Sequence, residues 1–266
     1  MTWVIGSSTV FGYGVLISDI RVTSSREGKE YDILQKAYPV GDFIVTGFAG
    51  SVELGFMLLE DLRQFLKLPE EAKDCAWHPE WVANNWGHRA KTIYETASPI
   101  LQNQGASVLM VGVSPDKDIG IPGWAQSYVC ILRSPLFSPE ILIGGNEISS
   151  IGSGGNVNVY AQALKEVEGM NNPLIQLEVG RHGGWAQGIG MHISDILKDN
   201  PTPGISQYIQ IFVVQRGKIT LYEMNETVYP KNSEPIERKM PRVARGYPEF
   251  VKMLEDVREN ATSAIC

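Results

Sequence analysis

Lys36-Ala37-Tyr38-Pro39-Val40-Gly41-Asp42-Phe43-Ile44-Val45-Thr46-Gly47-Phe48-Ala49-Gly50-Ser51 is the stretch on which the fold turns. It carries two β-forming runs and the switch to a helix. Leu34 to Tyr38 and Asp42 to Thr46 read as strands, parted by a turn at Pro39-Val40-Gly41-Asp42. After Gly47-Phe48-Ala49-Gly50 the apolar period lengthens. Ser51 can cap a helix whose apolar positions are Val52, Phe56, Leu59, Leu62, Phe65 and Leu66. Glu53 places a negative charge in its first turn, where the helix dipole favours it.

Upstream, Thr2 to Ile5 is a short apolar strand, Gly12 and Gly14 mark a turn, and Val15-Leu16-Ile17 resumes β structure into Ser18 to Thr23. Ser24 to Glu30 is polar and reads as a loop. Downstream, a second helix is expected from about Pro79 to Ala97, carrying Trp81, Val82, Trp86, Ala90, Ile93 and Tyr94. Ala106 to Val113, Gln126 to Arg133 and Glu140 to Ile143 return to β structure. Gly152-Ser153-Gly154-Gly155 precedes a third helix with Val159, Ala163 and Val167. A fourth runs from Trp185 to Lys198, and Tyr208 to Val214 with Lys218 to Glu223 form a hairpin at Gln215-Arg216-Gly217. Strands grouped between helix pairs favour antiparallel sheets. The expected class is α+β, a four-layer αββα sandwich of two sheets with helices outside. Residues 1–228 form one domain. Residues 229–266 form an extension with Pro230, Pro235, Pro241 and Pro248, a basic run (Lys231, Arg238, Lys239, Arg242, Arg245) and a helix from Pro248 to about Asn260. The basic run has two readings, a nucleic-acid contact or a solvated linker or subunit contact; charge runs are more often the latter.

With 266 residues, 43% hydrophobic and 20% charged, the chain has the composition of a globular protein. Lys plus Arg number 23 against 30 Asp plus Glu, a net charge of -7, so a broad phosphate footprint is not expected and nucleic acid is excluded as the main partner. Cys75, Cys130 and Cys266 lack metal-site spacing and cannot all pair, so they read as reduced thiols of a cytoplasmic protein. No apolar run approaches the roughly 20 residues of a membrane span. Met1 to Gly6 lacks the basic start and apolar core of a signal peptide.

No phosphate loop, HExxH, CxxC or GxSxG is present. His78, His88, His182 and His192 share no ligand spacing, so neither metal nor cofactor is expected. The informative start is Met1-Thr2. Removal of Met1 would put a hydroxyl and an α-amine on one residue. That amine, with an ordinary pKa of about 7.7–8.0, is partly an unprotonated base near neutral pH and can take the hydroxyl proton without a histidine. Asp19 and Lys36, polar residues at the ends of strands, can partner each other when turned inward, since an isolated buried ion is costly. An ammonium near the amine lowers its pKa and steadies an alkoxide. The Gly47–Ser51 turn can offer a backbone N–H at a helix N-terminus to an oxyanion. The plain alternatives are two unrelated surface charges and an ordinary strand-to-helix turn.

Lys36 through Ser51 resembles the lysine-to-glycine segment of proteasome β subunits and the HslV-type peptidases. Asp19-Ile20-Arg21-Val22-Thr23 resembles their Asp-x-Arg-x-Thr strand. Ile151-Gly152-Ser153-Gly154-Gly155, followed by Tyr160-Ala161-Gln162-Ala163, resembles their serine-glycine turn into helix three. The matches span about residues 2 to 223, and the minor bacterial proteasome homologues are the branch they come nearest. The resemblance implies an N-terminal-nucleophile (Ntn) hydrolase, a threonine endopeptidase. Thr2 is then nucleophile and base, Asp19 and Lys36 the charge pair, Gly50 N–H the oxyanion donor, and Ser153 a support for the amine. It also implies an aspartate and a hydroxyl after helix four. Asp199 and Thr202 match best, with Asp195 as rival. Thr23 and Gly50 would pair with an extended peptide. Val22, Leu34, Tyr38, Phe48 and Val52 would line an apolar first pocket without an acid, favouring small or medium apolar residues and disfavouring basic ones. The implied assembly is a homo-oligomeric ring, hexamer or heptamer, single or double, acting on unfolded polypeptide, with a separate ATPase unfoldase as candidate partner. Two other readings keep the fold: a non-catalytic ring or scaffold subunit, and an amidase or acyl-transferase acting on a small amide.

Overall fold

The computed structural model describes residues 2–24, 27–68, 76–145, 147–169, 184–223, 226–228, 234 and 236–263. The elements in order are β1 (Val4–Ser8), β2 (Tyr13–Asp19), β3 (Arg21–Thr23), β4 (Glu30–Asp32), β5 (Ala37–Gly41), β6 (Ile44–Gly50), α1 (Val52–Phe65), α2 (Pro79–Thr96) and α3 (Pro99–Gln104). There follow β7 (Ala106–Asp118), β8 (Ala125–Arg133), β9 (Glu140–Ile143), β10 (Ile148–Ile151), a 3-10 turn at Ser153–Asn156, α4 (Asn158–Gly169) and α5 (Gly184–Asp199). The chain closes with β11 (Ile209–Gln215), β12 (Lys218–Glu223), β13 (Glu226–Val228), β14 (Ile236–Arg238) and α6 (Tyr247–Ser263).

These make an α+β fold with two five-stranded antiparallel sheets, ordered β10-β1-β2-β11-β12 and β5-β6-β7-β8-β9. Three apolar clusters hold it. Val4, Leu16, Val45, Leu109, Val111, Val129, Ile131 and Phe212 draw on both sheets and form one shared core. The opposite face of the second sheet is covered by α1, α2 and α6, through Leu58, Leu62, Val82, Trp86 and Phe250. The opposite face of the first sheet meets α4 and α5, through Tyr160, Ala163, Ile189 and Ile193. Every residue of β2 is buried, which is why Val15-Leu16-Ile17 reads as an unbroken apolar run rather than an alternating one.

Several expectations shift in detail. β5 continues through Pro39 and Val40, with a shift of register between Pro39 and Gly41, and the turn falls at Asp42-Phe43. Proline is tolerated because β5 is the edge of its sheet, where a missing N–H interrupts no ladder. Ser51 is the N-cap of α1, its hydroxyl accepting from Leu54 N–H at 3.4 Å. The buried face of α1 is Leu54, Gly55, Leu58, Leu59 and Leu62, with Val52, Phe56 and Phe65 only half-buried. Trp81 of α2 is 43% exposed, while Val82, Trp86 and Ala90 are buried as the period predicts. The segment read as a loop at Ser24–Glu30 ends in β4, which hairpins onto β3. The short strand β10, paired along β1, and the helix α3 are additions to the elements expected from the sequence.

Cys130 is buried and its thiol is pushed up to about 12 by burial, so it is an inert core residue. Cys75, Cys266, His182 and Met1 lie outside the described residues. Among the described residues no helix is long and apolar enough to cross a membrane, and no group of three His, Cys, Asp or Glu side chains converges.

Candidate active site

The start of the chain is held by three other segments, the end of β2, the 3-10 turn at Ser153–Asn156 and α4. Trp3 N–H donates to Asp19 Oδ2 at 2.6 Å, and Asp19 N–H returns a bond to Trp3 O at 3.2 Å. Thr2 N–H donates to Ser153 Oγ at 3.2 Å, and Thr2 O accepts Gly154 N–H at 3.2 Å. The Trp3 indole is buried and stacks on Tyr160 of α4 with ring centres 4.7 Å apart. Residue 2 is therefore fixed by backbone bonds and by its neighbour's packing, while its side chain lies at a cleft.

Asp19 ends β2, and Lys36 immediately precedes β5. Both are 1% exposed, and Lys36 Nζ donates to Asp19 Oδ1 at 2.8 Å. The same oxygen accepts Arg21 N–H at 2.8 Å and Ser206 N–H at 3.5 Å. Three backbone donors and one ammonium thus hold the carboxylate. Burial drives the Lys36 pKa below its usual value, and attraction to Asp19 offsets that only in part. Arg21 turns outward instead, bidentate on Asp32 at 2.8 Å and reaching Glu30 at 3.1 Å, which ties β3 to β4.

Gly50 closes β6 one residue before the Ser51 cap. Its φ of +99° is open to glycine, and a Cβ there would lie 2.4 Å from Gly105 O. Gly152 has φ +88° and ψ 178°, a conformation essentially reserved for glycine, and a Cβ there would lie 2.2 Å from Thr2 O. Gly152→Ala must push residue 2 away from Ser153. We expect it to cost about 1–3 kcal/mol of stability and to abolish any activity that depends on Thr2; thermal melts and a peptide assay check this.

A cleft of about 730 Å³ joins these groups. Thr2, Gly50 and Ser153 line it together with Val22, Thr23 and Val52. Leu34, Tyr38 and Phe48 do not line it: they are 0%, 4% and 2% exposed and belong to the core under α1 and α6. The sequence places them in the pocket, but Phe56 of α1 packs on Tyr38 and Phe48, and Tyr247 of α6 packs on Phe56, with ring centres 5.4–5.8 Å apart. The expectation of a pocket without an acid is also corrected, since Glu53 lines the cleft, with Arg258 as an opposite charge.

Asp199 is exposed at the end of α5, and Thr202 Oγ1 donates to Asn200 O at 3.3 Å; neither lines the cleft. The rival Asp195 is also exposed, 3.7 Å from Lys198. The loop after α5 reaches the buried pair through Ser206, which is fully buried and accepts Tyr208 N–H on its hydroxyl at 3.0 Å. The sequence does not single out Ser206, because Pro201 and Pro203 blur where the helix-to-strand loop begins. Tyr247, Phe250, Leu254 and Arg258 of α6 also line the cleft, which their sequence shows only as helical spacing. No protein-family model and no curated protein matches the chain.

Proposed function

We propose that this chain is a threonine-type peptidase in which Thr2, exposed by removal of Met1, attacks the carbonyl of a peptide bond. The observation that carries the reading is the convergence of four groups. Thr2 N lies on Ser153 Oγ, Trp3 N–H reaches Asp19, Asp19 holds Lys36, and Thr2 shares a cleft with Gly50. In the chain as written Thr2 N is a peptide nitrogen. Hydrolysis at Met1 leaves it an amine with the Ser153 hydroxyl as neighbour. The amine takes the Thr2 hydroxyl proton, the alkoxide adds to the carbonyl, and the Gly50 N–H stabilises the oxyanion. The same amine delivers the proton to the departing nitrogen, and water then releases the acyl group. Lys36, buried on the carboxylate that also holds Trp3 N–H, is assigned the part of a cation that favours the alkoxide and the unprotonated amine.

The α+β fold with a core drawn from two sheets and helices on their far faces supports the four-layer Ntn-hydrolase reading. On this reading the protein is cytoplasmic, a homo-oligomeric ring of six or seven subunits, single or double, takes unfolded polypeptide, and a separate ATPase could feed it. Sedimentation is expected to give a species of at least six chains. A protein that sediments as monomer alone contradicts the ring.

The pH profile follows from the two bases. The rate rises as the Thr2 amine loses its proton, with a midpoint at or below its ordinary value of about 7.7–8.0. It falls again as Lys36 deprotonates, below the ordinary lysine value, because burial lowers it. A bell-shaped kcat/KM profile in this range checks the assignment, and a rate flat from pH 6 to 10 rejects it. A panel of fluorogenic peptides differing only in the residue before the cleaved bond is expected to favour small and medium apolar residues; preference for Arg rejects the pocket.

A further inference from the structure

The C-terminal helix α6 forms part of the cleft wall. Tyr247, Phe250, Leu254 and Arg258 all line the cleft with Thr2 and Gly50. Their spacing of three, four and four residues puts them on one helical stripe. The helix is anchored at both ends. Ahead of it, Ala244 N–H donates to Ile33 O at 2.7 Å and Gln35 N–H to Ala244 O at 3.1 Å, one residue from Lys36. Arg245 N–H donates to Glu249 at 2.9 Å at its first turn. Toward the other end Arg258 Nε pairs with Glu27 at 2.8 Å and Arg258 Nη2 donates to Ser24 Oγ at 3.1 Å, beside Thr23. Phe250 is 8% exposed and shares the core under the second sheet. A segment so fixed is a wall and not a loose tail.

The wall's chemistry is apolar at its centre. Val22 from β3 and Val52 from α1 line the same cleft as Tyr247, Phe250 and Leu254. Of the two charges on the cleft, Arg258 is paired with Glu27 and Glu53 is hydrogen-bonded to Tyr247. The aromatic series from Tyr38 and Phe48 passes through Phe56 to Tyr247 and on to Phe250, so the deeper apolar residues are covered by the helix.

We infer that α6 is the specificity wall of the active site, and that Leu254, with Tyr247 and Phe250, limits the side chain on the N-terminal side of the cleaved bond to an aliphatic one of small or medium size. The inference rests on the peptidase reading and adds the residues that set its substrate class. Leu254 is half-buried, so changing it reshapes the cleft without emptying the core. Val251, half-buried on the same helix, is not among the cleft-lining residues and serves as control.

The test uses full-length processed protein and peptides ending in Ala, Val, Leu or Phe before a common fluorogenic group. Pocket contacts of one or a few methylenes shift kcat/KM by roughly 10–200-fold. Leu254→Ala is expected to raise the Phe-to-Val ratio of kcat/KM by about tenfold or more. Leu254→Trp is expected to cut Val and Leu substrates by about tenfold while Ala changes by less than about threefold. Val251→Ala leaves the order as in wild type. If Leu254→Ala or Leu254→Trp prevents folding, Leu254→Val and Leu254→Phe give the corresponding shifts in graded form. Folded Leu254 variants with the wild-type order overturn the inference and leave the peptidase reading standing. A processed wild type that cleaves no peptide overturns both.

Discussion

Thr2→Ala is expected to lower peptide hydrolysis by at least about 10³-fold while leaving the fold intact. The two effects separate because Thr2 is held through its main chain. Its N–H reaches Ser153 and its carbonyl accepts Gly154 N–H, and both bonds survive loss of the hydroxyl. The residue is only half-buried, so no core is emptied. Thr2→Ser should retain measurable activity, since it keeps oxygen and nitrogen on one residue. Circular dichroism and a melt for the fold, with single-turnover hydrolysis for the chemistry, check both halves. An Ala variant as active as wild type removes Thr2 from the mechanism.

Lys36→Met is expected to destabilise the protein by about 3–5 kcal/mol, a fall in Tm of roughly 6–20 °C, and to abolish hydrolysis. The ammonium is the one cationic donor among those found on Asp19, and both side chains are 1% exposed. Without it a buried carboxylate stays uncompensated. The double variant Asp19→Asn with Lys36→Met removes both charges and should recover most of the lost stability, because buried pairs replaced together are often near neutral. It should recover none of the activity. If hydrolysis returns with stability, the pair is structural only. The pH dependence of wild-type stability has a definite sign. Burial lowers the Lys36 pKa in the folded state, so the unfolded chain binds the extra proton in the interval just beneath 10.5, and stability rises with pH there.

Much of the centre of the molecule was legible because its signals are local. Ser51 as a cap, Glu53 in the first turn and the apolar period of α1 and α2 each depend on residues a few positions apart. Asp19 and Lys36 were legible as a pair because two charges beside buried strands have few other solutions. The turn at Pro39 was misplaced because proline signals a turn unless the strand is an edge, and edge status depends on which strands pair across the sheet. The pocket is hidden in the sequence for a similar reason. Leu34, Tyr38 and Phe48 are apolar and close to the site in sequence, but Phe56 and a helix from the far end of the chain cover them. Nothing local announces that cover, although Tyr247, Phe250 and Leu254 have the spacing of a buried stripe. Asp199 and Thr202 were placed by a motif that the prolines interrupt, and the loop reaches the buried pair later, at Ser206.

The account stands on a free Thr2 amine beside a reactive hydroxyl. Intact mass before and after an electrophile that needs both groups on one N-terminal residue tests this most directly. The account predicts a chain without Met1 that gains one adduct per subunit, lost in Thr2→Ala. A chain that keeps Met1, or a processed chain that takes no adduct, contradicts it.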